Sequence, residues 1–121
     1  MQKRIMIVDD DLATRIMLRD MLEKEGHEIV AEVASGDKVL ENYQEAQPDL
    51  VIMDIVLPVK NGIEATALLR AMDRKARIII ISALGDIPLI KAAFASGAAD
   101  FIQKPFTPEK IREAVLQAGG A

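Results

Sequence analysis

The sequence predicts an α/β domain on a doubly wound, five-stranded parallel sheet. Three observations predict it. Short β-branched runs alternate with longer segments of helical period from one end of the 121 residues to the other. The runs are continuously aliphatic, as strands covered on both faces are, rather than alternately apolar and polar. The connections are short, so residues 1–121 read as a single domain, with Ala118-Gly119-Gly120-Ala121 (118–121) as a flexible end or the start of a linker.

The first strand is Ile5 to Val8, followed by Asp9-Asp10-Asp11. Thr14, Met17, Leu18, Met21 and Leu22 then recur at i, i+3, i+4, i+7, i+8, one inward stripe of a first helix that Gly26 stops. The second strand is Ile29 to Ala34, interrupted by Glu32, and a second helix runs from about Asp37 to Ala46, closed by Pro48. Leu50 to Met53 is the third strand, with a helix from near Gly62 to Met72. Ile78 to Ile81 is the fourth, and its helix starts near Asp86 or Ile87, carries Pro88 in the first turn and ends at Gly97. Phe101-Ile102 is the shortest strand. Thr107 then caps a last helix with Pro108 at its first position and Ile111, Ala114 and Val115 inward.

Composition removes several function classes. There is no Cys, which excludes disulfides, thiolate zinc sites and cysteine nucleophiles, and the one His (His27) cannot supply a histidine-rich metal site. Four aromatics offer no base-stacking platform, and a net charge of −4 gives no basic footprint, so direct nucleic-acid binding is not expected. The early apolar run is far too short to span or target a membrane, which points to a cytoplasmic protein.

In parallel α/β sheets, ligands sit beyond the carboxyl ends of the strands. Asp9, Asp10 and Asp11 follow the first strand, Asp54 the third, Ser82 the fourth, and Lys104 stands just past the fifth. The flavodoxin-like order 2-1-3-4-5 would bring strands one, three, four and five side by side. Singly, each residue has a plain reading: a cap, a turn former, a solvated charge. Together, three acids and a lysine on one edge need another reason. Clustered carboxylates repel unless a cation intervenes, and oxygen-only ligands select a hard cation, Mg²⁺ or Mn²⁺. A lysine and a hydroxyl nearby suit phosphoryl oxygens. A central carboxylate can then act as a nucleophile, and Asp54 is the central one.

The segments Ile-Val-Asp9-Asp10-Asp, Val-Ile-Met-Asp54-Ile-Val-Leu-Pro58, Asn61-Gly62, Ser82-Ala83, Gly97-Ala-Ala-Asp-Phe101 and Lys104-Pro105-Phe106 together resemble the receiver domain of two-component response regulators, single-domain chemotaxis regulators included. The resemblance runs from Arg4 to Leu116. It implies that Asp54 accepts a phosphoryl group from a phosphohistidine of a sensor kinase or a histidine phosphotransfer protein. It implies that Asp10, Asp54 and the backbone carbonyl of Val56 bind Mg²⁺ directly, with Asp9 acting through a water. Ser82 and Lys104 would hold the phosphoryl group, Phe101 would turn inward as Ser82 moves, and the Lys104–Pro105 bond would be cis. Such a protein is a switch rather than an enzyme, catalysing only its own phosphotransfer and dephosphorylation.

The same resemblance puts the readout surface on the fourth helix, fifth strand and fifth helix, with Ile87, Leu89, Ile90 and Phe101 as contacts for a downstream protein. Leu12 and Ile16, off the inward stripe, would meet the kinase. A monomer is expected, or a dimer linked to phosphorylation. Two departures stand out. Phe101 has no phenolic hydroxyl, and Lys60 stands where the family usually has Met or Leu. Val56 and Leu84, two residues beyond Asp54 and Ser82, are apolar and would shield a phosphoryl group from water. The rival readings are a phosphorelay intermediate, a dehalogenase-like phosphatase, a flavodoxin-like electron carrier and a degenerate receiver. The phosphatase would need an acid where Val56 stands, and the electron carrier a phosphate loop where three aspartates stand.

Overall fold

The computed structural model describes residues 2–118. Five strands, β1 (Arg4–Val8), β2 (Glu28–Val33), β3 (Leu50–Asp54), β4 (Ile78–Ser82) and β5 (Asp100–Gln103), form one parallel sheet in the order β2-β1-β3-β4-β5. The helices are α1 (Leu12–Lys24), α2 (Val39–Ala46), α3 (Gly62–Met72), α4 (Ile87–Ala95) and α5 (Pro108–Ala118).

Successive strand residues point to opposite faces, and both faces are packed. Ile5, Ile7, Ile52, Ile79 and Ile81 join Leu18 and Leu22 of α1 and Ile111 and Val115 of α5. Met6, Val8, Met53, Ile78 and Ile80 join Val39 and Tyr43 of α2, Leu69 of α3 and Ala93 of α4. This two-sided burial is why the strands read as unbroken aliphatic runs. Each buried Ile or Leu contributes about 1.5–3 kcal/mol.

Helix ends follow their caps. Asn61 and Glu64 form a reciprocal capping box at the start of α3. Thr107 Oγ1 accepts the Lys110 amide at 3.2 Å at the start of α5. Gly97 closes α4 at φ 111°.

The structure corrects some expectations. Met17, expected on the inward stripe, is 49% exposed: it lines a surface groove with Thr14, Lys104, Pro105 and Phe106, while Leu18 beside it takes the core position. The segment after Ser35 opens as a 3₁₀ turn, Gly36–Lys38, so α2 begins only at Val39. That helix ends on Gln47 in the left-handed region at φ 50°, one residue before Pro48. Ala118, expected to begin a flexible end, is the last residue of α5, and it is buried with its carbonyl accepting from Arg77 Nη1. Residues 119–121 lie outside the described residues. Glu32, an interruption on paper, lies on the edge strand β2 and pairs with Arg15 and Arg19 of α1. No helix among the described residues is long and apolar enough to cross a membrane.

Candidate functional site

The carboxyl ends of β1, β3 and β4 lie side by side, with the β5–α5 loop next to them. Asp54 and Ser82 are the last residues of β3 and β4 rather than the first beyond them, and the sheet itself orients them. Asp9 follows β1 and extends its ladder, donating its amide to the Val33 carbonyl at 3.0 Å. Asp9 and Ser82 are 0% exposed and Asp54 is 6% exposed, while Asp10 is exposed.

One oxygen from each of Asp9, Asp10 and Asp54 lies within 4.8 Å of the others. Lys104 Nζ donates to Asp9 Oδ2 and to Asp54 Oδ2, each at 3.0 Å. The Lys104–Pro105 peptide is cis, and the Lys104 amide donates to the Ser82 carbonyl at 2.7 Å. Asp9 Oδ1 accepts the Asp11 amide at 2.9 Å, so both oxygens of Asp9 are engaged. The nearest partner of Asp54 Oδ1 is the Val56 amide at 3.4 Å. The carboxylate of Asp10 takes no hydrogen bond from any described residue. Ser82 Oγ accepts the Leu84 amide at 3.0 Å.

Three carboxylates face a single ammonium, a local surplus of two negative charges. Burial pushes the Asp54 carboxyl above the usual carboxylate range, and the hydrogen bond and charge of Lys104 pull it back only in part. Burial alone would lower the Lys104 ammonium, but the bonds to Asp9 and Asp54 outweigh it and hold the group above its ordinary value. Converging hard oxygen donors with a charge surplus, and no sulfur or imidazole, fit Mg²⁺.

Asp11, singled out with its neighbours, is the N-cap of α1 and accepts from the Ala13 amide and Thr14 Oγ1. Val56 and Leu84 are 58% and 51% exposed, two residues beyond Asp54 and Ser82 respectively. Phe101 and Leu89 are half-buried and pack on the α2–α4 side of the core. Among the three apolar candidates on α4, Ile87 is the exposed one, and Leu12 and Ile16 are exposed on α1.

Two roles in the site escaped the sequence reading. Gly62 approaches the Asp54 carbonyl so closely that a Cβ there would lie 2.0 Å from the oxygen. Arg15 donates to the Asp9 carbonyl through Nη1. The Asn61-Gly62 pair signals a turn, but nothing local announces that clearance or the reach of Arg15.

The sequence profile of the response regulator receiver domain matches residues 5–116. The chain belongs to that family. Among curated receivers, the chemotaxis protein CheY of Thermotoga maritima is 43% identical over 115 residues, covering 95% of this chain and 96% of the relative. Sporulation initiation phosphotransferase F of Bacillus subtilis is 35% identical over 115 residues, covering 95% and 92%. Among solved receivers, the CheX–CheY–BeF3–Mg²⁺ complex of Borrelia burgdorferi superposes at a TM-score of 0.91 with 32% identity, covering 98% of this chain and 90% of that one. The sheet order 2-1-3-4-5 agrees with these receivers.

Proposed function

We propose that this receiver is a phosphorylation-dependent signalling switch, with Asp54 as phospho-acceptor and Mg²⁺ held by Asp10, Asp54 and the Val56 carbonyl. The observation that carries the reading is the arrangement around Asp54. A nearly buried carboxylate is clamped on one oxygen by Lys104, left almost unbonded on the other, and ringed by two further acids.

An oxygen of Asp54 attacks phosphorus, a P–O bond forms and the P–N bond to the donor histidine breaks. Bound Mg²⁺ supplies positive charge for the phosphoryl oxygens and offsets carboxylate repulsion. Both oxygens of Asp9 are taken by Lys104 and the Asp11 amide, which supports its acting through water. Asp10, exposed and free of internal bonds, suits direct ligation. Lys104 can swing one of its donors to the phosphoryl group while keeping Asp9. Ser82 Oγ, which now accepts from the Leu84 amide, has its own proton for a phosphoryl oxygen.

The phosphoryl group adds roughly −2 charge and three acceptors, and the contacts it makes with Ser82 and Lys104 favour a closed arrangement. A near-complete population shift needs about 5.5 kcal/mol, the order a few charge-assisted hydrogen bonds supply. Phe101 packs between the core and the surface, where it can turn as Ser82 moves. The altered surface is α4–β5–α5, read by a downstream protein. The donor, a cytoplasmic histidine kinase or histidine phosphotransfer protein, docks at Leu12 and Ile16 of α1. The acid/base position of a phosphatase is Val56, which cannot transfer a proton, and this supports a switch over an enzyme. The similarity to sporulation initiation phosphotransferase F supports a relay role as the second reading.

Incubation with acetyl phosphate and Mg²⁺ is expected to raise the intact mass by one phosphoryl group. Chelation by EDTA or Asp54→Ala abolishes the gain. A gain that survives Asp54→Ala refutes the assignment. Val56→Asn and Leu84→Glu are expected to shorten the life of the phosphorylated form several-fold, because a polar group there orients attacking water. Decay followed by mass spectrometry checks this, and unchanged or slower loss sinks it.

A further inference from the structure

Arg15 lies on the second turn of α1 with only 16% of its side chain exposed. Its Nη1 donates to the backbone carbonyl of Asp9 and its Nε to Glu32 Oε1 at 3.1 Å. Glu32 sits on β2 opposite Ile7 of β1, and its other oxygen is gripped by Arg19 one turn further along α1. A chain of charge-assisted bonds therefore runs from the edge strand, through one guanidinium, to the peptide linking Asp9 and Asp10.

That peptide sets where Asp10 points. The side chain of Asp10 has no internal hydrogen bond among the described residues, so only its backbone aims it. The Asp9 amide is tied to Val33 and the Asp9 side chain to Lys104 and the Asp11 amide. Of the peptide that joins Asp9 to Asp10, the carbonyl is the half held by a protein group, and Arg15 holds it. We propose that Arg15, braced by Glu32, is a positioning residue that aims Asp10 into the metal-binding carboxylate cluster. The inference rests on the Mg²⁺ reading above.

The sign of the effect separates positioning from charge. Arg15 is a cation near a cation site, so if charge were its whole role, removing it would tighten Mg²⁺ binding. If it positions Asp10, removing it weakens binding, by about tenfold, the usual loss when a group that orients a metal ligand is removed. Mg²⁺ titrations followed by the amide NMR shifts of Asp10 and Asp11 measure the affinity without any turnover. Arg15→Met is expected to bind about tenfold more weakly than the parent. Arg15→Lys keeps the charge but not the two-pronged fork, and is also expected to bind more weakly; it carries the test if Arg15→Met does not fold. Unchanged or tighter binding in Arg15→Met, or parental affinity in Arg15→Lys, overturns the inference alone. A parent chain that takes up no Mg²⁺ overturns it together with the reading on which it rests.

Discussion

Lys104→Met is expected to melt roughly 6–15 °C below the parent at about pH 7.5 in metal-free buffer, a loss of about 2–3 kcal/mol. The ammonium is the common partner of Asp9 Oδ2 and Asp54 Oδ2. Without it, two carboxylates that are almost wholly buried face each other with one backbone amide apiece. Removing one partner of a buried ion pair costs more than the pair contributes, because the remaining charge stays desolvated. The figure stands below that of a fully buried pair because Lys104 is one-fifth exposed.

Mg²⁺ binds the native state alone, and without the ammonium on Asp9 and Asp54 it binds more tightly, so it is expected to restore more stability in this variant than in the parent. The pH dependence has a definite sign. The Asp54 carboxyl is raised in the folded state, so its contribution is present below the ordinary carboxylate value and lost as pH rises through the raised one. Lys104 pulls that value down. Its loss moves the value further up, and the deficit of the variant narrows as pH falls. Melting curves at about pH 5 and 7.5, with EDTA or Mg²⁺, check both effects. Equal melting temperatures at neutral pH without metal would show that the lysine does not hold the carboxylates together.

Gly62→Ala is the second large effect, and its direction opposes helix propensity. Within a helix, Ala in place of Gly ordinarily gains about 0.5–1 kcal/mol. Here the new Cβ would lie 2.0 Å from the Asp54 carbonyl oxygen, 2.9 Å from its carbon and 3.0 Å from Ile55 Cα. All three are backbone atoms, and the start of α3 cannot retreat freely. The Gly62 amide donates to the Ile55 carbonyl at 2.8 Å, and the Asn61–Glu64 capping box holds the same turn. The expected loss is about 3–4 kcal/mol. Displacing Asp54 by a fraction of an ångström should also slow phosphorylation by acetyl phosphate roughly ten- to a hundredfold. Urea denaturation reads the first effect and intact mass against time the second. A variant as stable and as fast as the parent would mean that β3 and α3 separate without penalty.

The alternation of elements was legible because burial is written residue by residue. Ile78 to Ile81 could be continuous only if both faces of β4 are covered, and they are. Asp9, Asp54, Ser82 and Lys104 were legible as a group because a parallel sheet delivers all its strand ends to one edge. Met17 was misjudged because helical period gives the direction of a stripe, not which of its members lie at its margin; Leu18 beside it is fully buried. The start of α2 was misjudged because Gly36, Asp37 and Lys38 carry no hydrophobic residue whose spacing could tell a 3₁₀ turn from the first turn of an α-helix.

The sequence by itself determined the element order, the apolar strand faces and the chemical kinds at the strand ends, since each depends on spacing within one short segment. Only the tertiary structure decided who holds whom. Lys104 meets Asp9 across 95 positions of chain and Asp54 across 50. Glu32 reaches Arg15 on another element, and Gly62 makes room for the Asp54 carbonyl. These are distances between segments that no local period encodes. They exist because burial on both faces of one sheet forces the segments into a single register.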